Sequence, residues 1–66
     1  MKQLKEKVRA LREKKGWSQE DLAREIYVSL STVQRWEKKG SKPIRLARRE
    51  LKRLFEAAGI ESEEDW

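Results

Sequence analysis

SQEDLAREIYVSLSTVQRWE, residues 18–37, is the stretch from which the rest of this 66-residue chain can be read. It divides into two short helical patterns around Tyr27 and Val28, and each pattern starts at a serine. Ser18 has Asp21 three residues on, and Ser29 has Thr32 in the same place. A serine hydroxyl at such a position accepts an orphan backbone N–H of the first turn, and the Asp21 carboxylate can complete a capping box with Ser18. Between the caps, Leu22, Ala23, Ile26, Val28, Val33 and Trp36 form one apolar seam. Helices of about eight to ten residues are not stable alone in water, so the flanking chain must supply the remaining core.

On the N-terminal side, residues 2–15 read as a first helix. Leu4, Val8 and Leu11 recur at the i, i+4, i+7 spacing of one helix face. Lys2, Lys5, Arg9, Lys14 and Lys15 decorate the other sides. Gly16 is placed for a left-handed stop past the last turn, and Trp17, just ahead of the Ser18 cap, is expected in the core as a hydrophobic staple. The second helix is expected over 19–26 and the third over 30–38. The sequence KKGSKP, 38–43, then reads as a loop, with Gly40 as a stop and Pro43 opening the next helix. That helix is expected over 44–58, where Ala47, Leu51, Leu54, Phe55 and Ala58 make an apolar stripe opposite Arg45, Arg48, Arg49, Lys52 and Arg53. Basic amphipathic helices of this kind also bind membranes. A core-facing stripe is the commoner explanation in a small helical domain. Gly59 should end the helix and Ile60 fold back on the core.

Composition narrows the function. The length suits one domain, and a chain this short buries only about 60% of the surface its unfolded form exposes. Apolar residues are 36% and charged residues 44% of the total, a balance that leans toward disorder; the regular helical spacing argues against it. Without cysteine or histidine, the chain has no disulfide, no thiolate zinc site and neither the usual nucleophile nor the usual general base. An enzyme is therefore not expected, nor a metal or cofactor. No apolar run approaches a membrane span or a signal peptide, so a cytoplasmic protein is expected. The absence of asparagine beside dense Glu, Lys and Arg is also the composition of heat-stable proteins. The net charge of +5 is unevenly spread: residues 1–34 carry +3, residues 35–53 carry +7, and residues 54–66 carry −5. So dense a basic block suits a polyanion.

The third helix carries the sharpest chemistry. At about 100° per residue, Val33, Trp36 and Glu37 fall on the inward side, while Ser31, Gln34, Arg35, Lys38 and Lys39 fan outward. An outward face rich in cations and hydrogen-bonding groups, almost without acid, is what a helix in the DNA major groove requires. Arginine grips guanine O6/N7 with two bonds, glutamine grips adenine N6/N7, and Ser or Thr reaches either. A solvated helix face is the bland alternative for each of these residues. Arg12, on the first helix, lies on an inward flank like Glu37.

Leu11-Arg12, Gly16, Ser18-Gln19, Leu22-Ala23, Val28-Ser29, Ser31-Thr32-Val33, Trp36-Glu37, Gly40 and Lys42-Pro43 together resemble the helix-turn-helix regulators of the phage Cro and repressor (XRE-like) type. The resemblance covers roughly residues 4–60. It implies an all-α fold, a compact four- to five-helix bundle of the phage-repressor-like type, with a DNA-binding domain over 1–60 and an acidic tail over 61–66. It further implies that Leu30, Ser31, Thr32, Gln34 and Arg35 read or brush base edges, Leu30 through a thymine methyl. Phosphates would be met by Gln19, by Lys38, Lys39, Ser41 and Lys42 of the loop, and by Arg45 and Arg48. Arg12 and Glu37 would form a buried salt bridge that orients the recognition helix. At Tyr27 the chain departs from the family, which usually has glycine in a left-handed turn. An aromatic residue tolerates that backbone only at about 1–2 kcal/mol, so either a remodelled turn or ring packing over the domain is expected. The tail ESEEDW is shorter than the fifth helix that often carries the family's dimer contact.

The expected function is thus a sequence-specific double-stranded DNA-binding regulator, a repressor, acting as a homodimer at least on DNA, on a palindromic site with half-sites about 34–36 Å apart. The alternative keeps the fold but makes the domain an antitoxin with a toxin partner and autoregulatory DNA binding.

Overall fold

The computed structural model describes residues 3–60, which form four helices: α1 (Leu4–Lys15), α2 (Gln19–Glu25), α3 (Leu30–Lys39) and α4 (Arg45–Ala57). The acidic tail and Trp66, where the expectation of a fifth helix would fall, lie outside the described residues. α1 starts at Leu4, not at residue 2, because the Glu6 carboxylate accepts the Gln3 backbone N–H at 3.2 Å and fixes Gln3 as the cap. α2 opens on the expected box: Ser18 Oγ accepts the Asp21 N–H at 3.0 Å and Asp21 Oδ2 accepts the Ser18 N–H at 3.0 Å. The Ser18 N–H, and after it the Ser18 hydroxyl, hold the Asp21 acid below its ordinary value of 3.8. Ser29 caps α3 by accepting the Thr32 N–H at 3.2 Å.

Three of the four helices end alike. Trp17 N–H bonds Arg12 O at 2.8 Å, Val28 N–H bonds Ala23 O at 2.9 Å and Ile60 N–H bonds Phe55 O at 2.8 Å. Each is the six-to-one bond of a Schellman motif, which puts the preceding residue in the left-handed region and folds the next apolar side chain onto the core. Trp17, Val28 and Ile60 all pack against the core. The left-handed residues are Gly16, Tyr27 and Gly59. Tyr27, at φ 60°, therefore keeps the backbone that glycine would adopt, and its side chain is 94% exposed. The turn is not remodelled and the ring does not pack over the domain; both expectations for Tyr27 are corrected.

α3 lies at the centre, packed by α1 on one side and α2 on the other, and α4 packs on α1. The core joins Leu4, Val8 and Leu11 to Leu22, Ala23 and Ile26, to Val33 and Trp36, and to Ala47, Leu51, Leu54 and Phe55. Each fully buried large side chain stabilises the fold by about 1.5–3 kcal/mol. Lys7, between Leu4 and Leu11 in sequence, is also buried, and it has an interaction of its own. Its apolar stem extends the α1 stripe. Lys14 Nζ donates to Ala58 O at 3.0 Å and ties the ends of α1 and α4 together.

Two boundaries differ from expectation around the loop. α3 runs to Lys39 before Gly40 turns left-handed at φ 65°. α4 begins at Arg45 and not at Ile44, which is its extended cap. The Pro43 ring is buried in the cleft it lines with Trp36 and Ala47; its packing there, two residues ahead of the helix, sets the direction in which the loop returns. No helix among the described residues is long and apolar enough to cross a membrane.

Candidate nucleic-acid interface

The position of α3 is set from beneath by Arg12 and Glu37. Arg12 Nε donates to Glu37 Oε2 at 2.5 Å and Nη2 to Oε1 at 2.8 Å, while Nη1 reaches Trp17 O at 3.3 Å. Gln19 Nε2 adds a third donor to Glu37 Oε1 at 3.3 Å. One carboxylate on α3 is thereby bonded from α1 and from the first residue of α2. The side-chain exposures are 19% for Arg12 and 4% for Glu37, so the acid is the buried partner. Its hydrogen bond to the guanidinium raises the Arg12 pKa, against the opposing effect of burial. Such a two-pronged contact fixes orientation as well as charge.

Above this support the outward face of α3 is polar. Leu30, Ser31, Gln34, Arg35, Lys38 and Lys39 are exposed, whereas Val33, Trp36 and Glu37 are buried. Thr32 differs from the others. It is half-buried, and its hydroxyl lies 2.8 Å from the Ser29 hydroxyl that caps the helix. The Ser31 hydroxyl is also within 3.1 Å of Ser29 Oγ. Ser31 remains exposed and keeps acceptor capacity, since a hydroxyl offers one donor and two lone pairs. Thr32 is the least available of the five residues expected at base edges.

The loop and the start of α4 extend the same basic surface. Lys42 and Arg45 are exposed, and Ser41 and Arg48 are half-buried. Arg35, Ser41 and Lys42 line one cleft, whose floor is Val28, Trp36, Pro43 and Ala47. Gln19 lines a different groove, with Arg9, Gln34, Glu37 and Lys38. Two concavities flank α3: one holds Thr32, Arg35, Ser41 and Lys42 of the expected residues and the other Gln19, Gln34 and Lys38, whereas Leu30, Ser31, Lys39, Arg45 and Arg48 line neither. Arg9 was not among the expected contacts. Its signal was available: it stands three residues before Arg12, on the same flank of α1, and so faces α3 as Arg12 does. Sequence reasoning also missed the exposure of Ile44 and Leu46, each 71%. Both lie off the inward stripe of α4.

What this surface can do chemically is donate. Arg35, Lys38, Lys39, Lys42, Arg45 and Arg48 have no ion-pair or side-chain hydrogen-bond partner among the described residues. By contrast Arg12, Arg24 and Arg53 are paired with Glu37, Glu20 and Glu50. An array of unneutralised cations around a helix carrying Gln and Ser is suited to a polyanion with readable edges.

A sequence profile described as helix-turn-helix matches residues 8–64, most of the chain. The protein belongs to the Cro/repressor-type, XRE-like helix-turn-helix family, a family of DNA-binding transcription regulators. No curated protein and no solved structure matches it significantly.

Proposed function

We propose that this chain is a sequence-specific regulator of transcription, a repressor, that lays α3 in the major groove of double-stranded DNA and binds a palindromic site as a homodimer. The observation that carries the reading is the outward face of α3: Ser31, Gln34 and Arg35 stand exposed there with no carboxylate among them. Arg35 and Gln34 read bases through paired hydrogen bonds, Ser31 through its hydroxyl, and Leu30 through apolar contact with a thymine methyl. Thr32 contributes through its methyl group, because its hydroxyl serves the cap. Gln19, Lys38, Lys39, Ser41, Lys42, Arg45 and Arg48 hold the phosphates on both sides and set the register.

Selection of bound duplexes from a random pool tests this directly. The parent should enrich one palindromic sequence. Arg35→Ala should lose about 1–3 kcal/mol of discrimination at a single base position of each half-site, whereas Lys42→Ala should weaken every duplex alike. The same uniform loss from both substitutions would show that Arg35 does not read bases.

A further inference from the structure

We propose that α1 also takes part in DNA binding, through Arg9, which together with Gln19 and Lys38 holds a backbone phosphate in the groove between α1 and α3. The inference rests on the reading of the α3 face as a DNA-binding surface. It adds to that surface a helix whose cations would otherwise be ascribed to solvation or to the fold.

The other described cations of α1 show why Arg9 stands apart. Arg12 is bonded to Glu37, Lys14 to the Ala58 carbonyl, Lys15 lies 5.9 Å over the Trp17 ring, and Lys7 is buried with an interaction of its own. Lys5 is exposed and unpaired like Arg9, but it does not border the groove that Arg9 shares with Gln19 and Lys38. Arg9 is exposed and has no partner among the described residues. Glu6 and Glu13, three residues before it and four after, are within helical reach, yet neither pairs with it. The Glu6 carboxylate is taken by the Gln3 N–H. Arg9 stands between two concavities: one shared with Lys5, Glu6, Glu13 and Glu37, and a groove of about 530 Å3 shared with Gln19, Gln34, Glu37 and Lys38. One water occupies about 30 Å3 of liquid, so a phosphodiester group fits with room for its hydration.

The charge in that groove favours an anion despite the carboxylate in it. Glu37 already accepts two bonds from Arg12 and one from Gln19, and its charge is matched by the guanidinium. The pair is close to neutral as seen from the groove, which leaves Arg9 and Lys38 as a net positive rim. Gln34, on the base-reading face of α3, borders the same space. A phosphate seated there would lie beside the edge that α3 reads. Arg9 would then clamp the strand on the side of α3 opposite the Lys42 loop, and the two contacts together would fix the tilt of α3 in the groove.

The test is a salt series of Kd values for a mixed-sequence DNA duplex, measured by fluorescence anisotropy for the full chain and three variants. Arg9→Gln removes the contact, Arg9→Lys keeps a cation there, and Lys5→Gln removes an equal charge one turn away on α1. Arg9→Gln should flatten the log–log salt slope by about 0.9 per subunit and weaken binding about eightfold at 0.1 M salt. Arg9→Lys should restore most of both, and Lys5→Gln should change the slope by well under half as much. Both sites are exposed, and unchanged helical circular dichroism and Tm will show that the fold is kept. Equal effects from Arg9→Gln and Lys5→Gln, or no effect from Arg9→Gln, would overturn the role of Arg9 and leave the α3 reading intact. A parent chain with no salt-dependent affinity for DNA would overturn both.

Discussion

Tyr27 is the residue at which this chain works against its own local preferences. The Schellman bond from Val28 to Ala23 demands a left-handed residue between them, and Tyr27 supplies it at φ 60° with its side chain in water. The backbone strain costs about 1–2 kcal/mol and nothing in the core offsets it. Tyr27→Gly should therefore stabilise the fold, by about 1 kcal/mol once the greater freedom of glycine in the unfolded chain is deducted. Urea denaturation followed by circular dichroism will read this as a higher midpoint at unchanged slope. A lower midpoint would mean that the phenol has a stabilising contact that the fold does not show. Asp21 is the opposite case, a residue that agrees with its local structure at every step. Its folded pKa is depressed by the Ser18 backbone N–H and then by the Ser18 hydroxyl, so its contribution is fully present above the ordinary 3.8 and is lost as pH falls through the lower folded value. Asp21→Asn should lower Tm at neutral pH, and the gap from the parent should close below pH 3.8. A gap that stays constant into acid would remove the carboxylate from the cap.

Among the elements, α3 is short for its task and depends on its neighbours. Its inward residues are Val33 and Trp36 with Glu37 between α1 and α2, so its orientation is set by one ionic network as well as by apolar packing. A buried pair of this sort adds little net stability, since desolvation cancels much of the attraction, but removing one partner strands the other. Arg12→Ala should cost about 3 kcal/mol, the lower end of the range for buried pairs, because the Arg12 side chain keeps a fifth of its surface in water while Glu37 does not. Thermal melting will show it; a Tm within a degree or two of the parent would mean that water replaces the guanidinium without loss. Arg12→Met should recover part of the stability only if Glu37→Leu accompanies it, which separates loss of packing from the stranded acid.

For the molecule as a whole, the cations divide by what they do. Arg12, Lys14, Arg24 and Arg53 are engaged with carboxylates or a carbonyl, whereas Arg9, Arg35, Lys38, Lys39, Lys42, Arg45 and Arg48 have no described partner. Lys5 and Arg49 are likewise without a described partner, but Arg9 and Lys38 line a concavity on one side of α3 and Arg35 and Lys42 one on the other, so part of the surplus charge becomes a surface and not merely a composition. With about five phosphates neutralised per subunit, the log–log dependence of DNA affinity on salt should have a slope near −4 to −5, doubled for a dimer. Titrations between low and moderate salt will measure it. A slope near −1 would indicate that the cations are solvated and that DNA is not held by this face.

Much of this was legible in the residues alone, because local rules decide local structure. The serine caps, the glycine stops and the inward stripes depend on neighbours within a turn or two, and they placed all four described helices to within one or two residues. The outward set of α3 followed from helical phase. Three things required the folded chain. Pro43 is buried because a cleft made by Trp36 and Ala47 exists only after α4 has docked. Thr32 lost much of its availability through a hydroxyl contact that phase could not express. The spacing from Arg12 put Arg9 on the flank of α1 that faces α3, but the groove it borders exists only once α1 is packed against α3, because a second element must form the other wall. Sequence by itself determined which faces turn inward and where each helix stops, because those choices cost free energy within a few residues. Tertiary packing alone decided which exposed charges stand together, because that depends on distances between elements that no local rule contains.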